Sequence, residues 1–368
     1  MNAPEYRSIS DGTGRLCLRS SRCAASAAEP VAFDCDGVLV DTSASYDAAI
    51  IRTAEMLLRM RFGRSPSLGE SAGRMIFGLR KTGAFNNDWD STFAIMLISS
   101  LAMLETKNGV RGEHGVARRT EELVGQFSGD RVKDAVRDVM SYAVKIAGNA
   151  GARELEEIAR WLSYPGVPPG SFLATVFDEL YYGEDRFVEF YGIQPRYCRG
   201  EGLIRKERLL FDAGLMENIT ARSGRKPAII TGRPALGTRM SLGKLLDLFD
   251  LGSSVFVGDL DYSAAGTDRT GTDELRKPMP GALLKCMKAI GSDSLIYVGD
   301  SAEDLQMAAS ARERGYAVSF AGVCGRGETS AAALDFFMEE GADMIMQDIS
   351  QLPQMLSAGV SVGGSESR

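Results

Sequence analysis

Val31-Ala32-Phe33 reads as a short strand, and no further strand pattern comes until Lys226. Between Asp41 and Thr231 the apolar residues fall at helical spacing instead, over Ser45 to Arg61, Asp90 to Thr106, Glu121 to Phe127, Arg131 to Ala147 and Ala152 to Trp161. From Lys226 onward, strands and helices alternate. The expected strands are 30–34, 227–231, 253–257, 294–298, 315–319 and 343–346. Such alternation predicts a parallel sheet with right-handed crossovers. A first strand so isolated predicts an all-helical domain inserted between it and the second strand, and 368 residues suffice for two domains.

That first strand ends in Asp34-Cys35-Asp36-Gly37. Alternate strand residues point the same way, and the glycine lets the chain turn sharply, so both carboxylates can crowd one small volume at the carboxyl edge of the sheet. Two acids that close repel unless a cation lies between them or one holds a proton. The pair suits covalent catalysis by one carboxylate and acid/base work by the other, with Mg²⁺ as counter-charge. Alone, the tetrapeptide also fits a strand end with an Asx turn.

Three later segments supply what such a site needs. Ala228-Ile229-Ile230 delivers Thr231, Gly232 and Arg233, a hydroxyl and open amides suited to cradling an oxyanion. Lys277-Pro278-Met279-Pro280 sets a cation just before a helix expected from Gly281 to Ile290. Leu295 to Gly299 is a strand ending in Asp300, with Asp304 one helical turn on. The aspartates and Thr231 thus fall at strand carboxyl ends, where open α/β sheets place their ligands.

Composition excludes other chemistries. His114 is the one histidine, which rules out a multi-histidine metal site and restricts any Ser-His-Asp triad to that residue. The net charge of -7 argues against a nucleic-acid partner, and no apolar run approaches a membrane span. The six cysteines show no C-x-x-C spacing, and Cys35 lies between the two aspartates, so reduced thiols in a cytoplasmic protein are expected. Residues 1–29, with Arg7, Arg15, Arg19 and Arg22 among serines, read as a flexible extension rather than a targeting segment, and the Gly/Ser-rich stretch 357–368 as a disordered tail.

Together, Asp34-x-Asp36-Gly37-Val38, Thr231, Lys277 and Gly299-Asp300-Ser301-Ala302-Glu303-Asp304 resemble the haloacid dehalogenase-like superfamily. The resemblance implies an α/β fold, a Rossmann-like doubly wound parallel core over 30–41 and 223–356, with a large helical cap over 42–222. It implies a phosphatase, since dehalogenase members lack an acid at the position of Asp36. The expected reaction is Mg²⁺-dependent hydrolysis of a small phosphorylated metabolite through an aspartyl-phosphate. The alternatives are a phosphomutase acting on a sugar phosphate and a non-catalytic scaffold. Asp34 would be the nucleophile and Asp36 the acid and base; Thr231, Gly232 and Lys277 would bind phosphate. Asp34, Asp36 (through its carbonyl), Asp300 and Asp304 would surround the metal. Val257-Gly258-Asp259 mimics the last motif, but family order puts the metal acid after the lysine, which Asp300 satisfies and Asp259 does not. Asp259, Asp261 and Asp268 are therefore assigned to the loop after the third strand. Within the cap, Lys81-Thr82-Gly83-Ala84-Phe85-Asn86-Asn87-Asp88 reads either as a specificity loop (Lys81, Gly83, Asn86, Asn87) or as an interhelical loop with an N-cap at Asn87 or Asp88. The aromatics of Tyr181 to Tyr191, which lead to Arg199-Gly200-Glu201-Gly202, are expected in the cap core.

Overall fold

The computed structural model describes residues 5–10, 15–19, 29–64, 66–85, 87–106, 113–127, 134–260, 273–326 and 329–362. The chain divides into two compact units, one formed by 1–41 with 208–368, the other by Thr42–Glu207.

Among the described residues the first unit holds ten strands: β1 (Tyr6–Ser10), β2 (Arg15–Arg19), β3 (Val31–Phe33), β4 (Val40–Asp41), β5 (Arg208–Leu209), β6 (Ala228–Thr231), β7 (Val255–Phe256), β8 (Ser294–Gly299), β9 (Ala317–Val323) and β10 (Met344–Met346). Eight of them form one sheet in the order β1-β2-β10-β9-β8-β3-β6-β7, and β4 pairs with β5. Pairing is parallel from β10 through to β7. Both faces are covered, as a parallel sheet requires. Val31, Phe33, Ile229, Ile296 and Val298 pack on one side with Met216, Ile219 and Met355. Ala32, Ile230, Leu295 and Tyr297 pack on the other with Leu283, Met287, Met307 and Phe337. The fold is therefore α/β and doubly wound, of the Rossmann-like type.

Three segments differ from expectation. Part of the expected N-terminal extension is the antiparallel hairpin β1–β2, added to β10 at the sheet edge. Cys17 and Leu18 are buried there, Tyr6 Oη donates to the Ala342 carbonyl at 2.8 Å, and Arg19 Nη1 donates to that of Gly341 at 2.9 Å. The helix Ala213–Ser223, read above as part of the insertion, contributes Met216 and Ile219 to this first unit, because the chain divides at 207 rather than 222. The helix Leu352–Val362 runs through Ser357, where a disordered tail was expected; 363–368 lie outside the described residues.

The second unit is helical: α1 (Tyr46–Phe62), α2 (Ala72–Arg80), α3 (Asp88–Thr106), α4 (Glu113–Phe127), α5 (Ala135–Leu162) and α6 (Phe172–Tyr191). α3 is apolar nearly all round and is the buried centre, with Phe93 to Ile98 at most 1% exposed. α6 breaks at Gly183 (φ 75°), and a Cβ there would stand 2.2 Å from the Gly202 amide nitrogen. The glycines of the 199–202 stretch thus allow a close backbone crossing, which explains that motif structurally. Next to the break, Glu179 accepts the amides of Arg196, Tyr197 and Cys198 at 2.7–2.8 Å and so fixes that loop. Tyr181, Tyr182 and Phe187 are buried, as core aromatics should be. No helix among the described residues is long and apolar enough to cross a membrane.

One buried acid gives this unit a pH dependence. Asp178 accepts from Trp89 Nε1 at 3.0 Å and from Tyr191 Oη, yet burial outweighs both bonds and pushes its carboxyl up to about 7. An acid that ionises at about 3.9 when unfolded therefore keeps its proton longer in the folded state. Stability should fall as pH rises from about 4 towards 7, by an amount on the order of 4 kcal/mol. Asp178→Asn should flatten that part of the profile, seen as a smaller drop in Tm between acidic and neutral pH. An unchanged profile would show that Asp178 is ionised throughout.

Candidate active site

Sheet order places the site. β3 is flanked by β6 on one side and β8 on the other, so the strand order reverses at β3 and opens a crevice at the carboxyl ends. The Asp34 amide donates to the Val298 carbonyl at 2.8 Å, which carries the β3–β8 pairing one residue further. Gly37 then turns with φ 72°, its amide donating to the Val40 carbonyl at 2.9 Å. A Cβ at this position would lie 1.8 Å from Asp300 Oδ2. Only glycine lets the turn approach that carboxylate. Gly37→Ala should displace Asp300 and lower turnover by about 10²-fold; a kinetic assay beside a thermal melt separates that from global unfolding, and full activity would show that the turn relaxes freely.

Lys277 stands at the centre of the charges. Its Nζ is 2.7 Å from Asp34 Oδ1 and 2.7 Å from Asp304 Oδ1. Asp304 is held by its own helix: Ser301 N and Oγ donate to Oδ2 at 3.1 and 2.6 Å, closing a capping box at the start of Ala302–Glu313. Tyr297 Oη donates to Asp304 Oδ1 at 2.7 Å. Burial works against the charges of Asp304 and Lys277, but their mutual attraction prevails. It holds the Asp304 carboxyl below its usual range, with help from Ser301 and Tyr297, and the lysine well above its own. Asp34 differs: burial, with the Asp304 and Asp36 charges, pushes its carboxyl up to about 7 despite Lys277. Burial and Asp304 raise the Tyr297 phenol well above its usual value, so it remains a donor.

Carboxylate oxygens of Asp34, Asp300 and Asp304 lie within 4.8 Å of one another. Asp34 Oδ1 is buried and, although beside the ammonium, accepts no aligned hydrogen bond. Three carboxylates gather here, two of them in contact with Lys277, and a divalent ion would add counter-charge. An under-satisfied buried oxygen among hard oxygen donors fits Mg²⁺.

The Asp36 side chain is not in that cluster. Arg233 Nε and Nη2 both stand 2.5 Å from its Oδ1, which draws the carboxylate towards the arginine. Thr231 is fully buried and its Oγ1 accepts the Arg233 amide at 3.1 Å, with Gly232 exposed beside it. Asp259 Oδ1 accepts the Ala235 amide at 2.8 Å and so caps the helix Ala235–Leu242, apart from the acidic cluster. Asp261 and Asp268 lie outside the described residues.

The cap residues belong to the second unit. Lys81 is exposed just after α2, and Gly83 has φ 76°. Asn87 Oδ1 accepts the Trp89 amide at 2.8 Å, which is the N-cap alternative. Asn86 lies outside the described residues. Sequence reading missed Arg233, Tyr297 and Ser301 as parts of the charge network. Arg233 stood in view beside Thr231, but nothing local announces a contact with Asp36.

A family model of the haloacid dehalogenase-like hydrolases matches residues 31–312. Among solved structures, an X-ray structure from the Northeast Structural Genomics Consortium (target ZR25) superposes with a TM-score of 0.56 at 18% identity, covering 91% of this chain and 100% of that one. Phosphatase Tt82 from Thermococcus thioreducens superposes with a TM-score of 0.51 at 21% identity, covering 91% and 99%. At these identities the likeness is one of fold. No curated protein matches the sequence. The family model spans well over half of the chain, which therefore belongs to the haloacid dehalogenase-like hydrolases.

Proposed function

We propose that the protein is a Mg²⁺-dependent phosphatase acting on a small phosphorylated metabolite. The observation that carries this reading is the different setting of the two acids of Asp34-Cys35-Asp36. The Asp34 side chain is 8% exposed, beside Lys277 and the acidic cluster, whereas that of Asp36 is 34% exposed and held by Arg233. Two carboxylates in different environments can take different roles.

Asp34 attacks phosphorus, forming an O–P bond as the bond to the leaving oxygen breaks, and Asp36 gives that oxygen a proton. Asp36 then takes a proton from water, whose oxygen attacks phosphorus and releases phosphate and the Asp34 carboxylate. Lys277 balances charge on the transferring group, and the Thr231 hydroxyl and Gly232 amide are the donors proposed for its oxygens once substrate opens the site. Asp34 and Asp300, with Asp304 behind them, would hold Mg²⁺, which supplies positive charge against the phosphoryl oxygens.

The test is phosphate release from a broad panel of phosphorylated metabolites, with Mg²⁺ and with EDTA. Release with Mg²⁺ and loss of at least about 10²-fold in EDTA are expected. Undiminished release in EDTA would remove the metal from the account. Isomerised sugar phosphate in place of free phosphate would make the enzyme a mutase.

A further inference from the structure

Arg233 is a cation that the reaction above leaves without a task. Its side chain is 1% exposed, which leaves no face for a substrate phosphate. Nε and Nη2 both stand 2.5 Å from Asp36 Oδ1, while Nη1 donates to Ser241 Oγ at 2.7 Å. Ser241 in turn donates to the Gly237 carbonyl at 3.2 Å, inside the helix Ala235–Leu242. A continuous strut thus runs from that helix to Asp36, across 197 positions of sequence.

We infer that Arg233 is a positioning residue that acts through Asp36, and the inference rests on the reading of Asp36 as the group that exchanges the proton. A carboxylate with a third of its side chain exposed can turn about two bonds. Two N–H groups of one planar fork, fixed at Oδ1, stop that motion and leave Oδ2 as the oxygen for the leaving group and then for water. The anchored oxygen and the working oxygen are therefore distinct. A lysine would preserve the charge but hold Oδ1 from a single point. Asp36 is itself partly exposed, so removing the guanidinium leaves no fully buried unpaired carboxylate, and the Arg233→Met variant should fold.

The test is a double-mutant cycle of Arg233→Met and Asp36→Asn, read as first-turnover release of the leaving group from phenyl phosphate and p-nitrophenyl phosphate. Arg233→Met should slow phenyl phosphate by about 10²-fold. The nitrophenyl ester, whose leaving oxygen needs little protonation, should slow by much less. Arg233→Lys should recover part of the loss. In the Asp36→Asn background, Arg233→Met should cost nothing further, because the group it positions is gone. Thermal melts and orthovanadate binding, both expected to remain near wild type, check the fold and the phosphate site. Equal losses with the two esters, or losses that multiply across the cycle, overturn the inference and leave Arg233 a structural strut. Should Arg233→Met not fold, Arg233→Lys enters the same cycle with the same two outcomes. Wild-type protein that cleaves neither ester nor any phosphate of the metabolite panel instead overturns the phosphatase reading, a result distinguishable from both.

Discussion

Asp34→Asn is expected to abolish turnover, a fall on the order of 10⁴-fold or more, while the protein stays folded. The substitution keeps the shape of the side chain, and Lys277 retains its second partner, Asp304 Oδ1, at 2.7 Å. The lost function is nucleophilic: an amide oxygen at this position cannot form and release the acyl phosphate. The variant should melt no lower than wild type, because it removes a buried carboxylate that burial and two neighbouring acids already disfavour. Steady-state kinetics and a melt on one preparation check both halves. Persistent activity would mean that another group attacks phosphorus.

Lys277→Met carries the largest stability cost, expected at about 3–5 kcal/mol. The lysine side chain is 5% exposed, and its ammonium lies between the carboxylates of Asp34 and Asp304, whose side chains are 8% and 0% exposed. Without it, Asp34 and Asp304 face each other with no counter-charge. Asp304 keeps Ser301 and Tyr297 as donors, so the greater strain falls on Asp34. Adding Asp34→Asn to Lys277→Met should therefore restore part of the lost stability. Denaturant unfolding of both variants in EDTA reads the difference, and a double variant no more stable than the single one would show that the pair does not act as a charge unit.

Much of the site was legible because its parts are short strings at strand ends. Asp34-Cys35-Asp36-Gly37, Ile230-Thr231-Gly232 and Val298-Gly299-Asp300 each consist of an apolar run followed by the chemistry, and parallel strand order gathers them. The contacts among them were not legible. Arg233 reaches Asp36 because β6 lies beside β3, a pairing that neither local string records. Tyr297 reads as an ordinary core strand residue, and only the turn into the helix Ala302–Glu313 brings Asp304 under its hydroxyl. The hairpin β1–β2 escaped notice because its strands are short, β1 is rich in serine and β2 is bounded by Arg15 and Arg19. Its burial comes from β10, far along the chain, rather than from a pattern of its own. The boundary at 207 was hidden for the same reason: Ala213–Ser223 looks like one more helix of the insertion, and only the packing of Met216 and Ile219 assigns it to the sheet.

Covalent chemistry at Asp34 is the centre of the account, and trapping the intermediate tests it most directly. Enzyme quenched in acid during Mg²⁺-supported turnover, then reduced with borohydride and mapped by peptide mass spectrometry, should carry homoserine at position 34. The signal should disappear when EDTA or Asp34→Asn is used. Phosphate release at full rate with Asp34 unmodified, or with the modification on another acid, would contradict it.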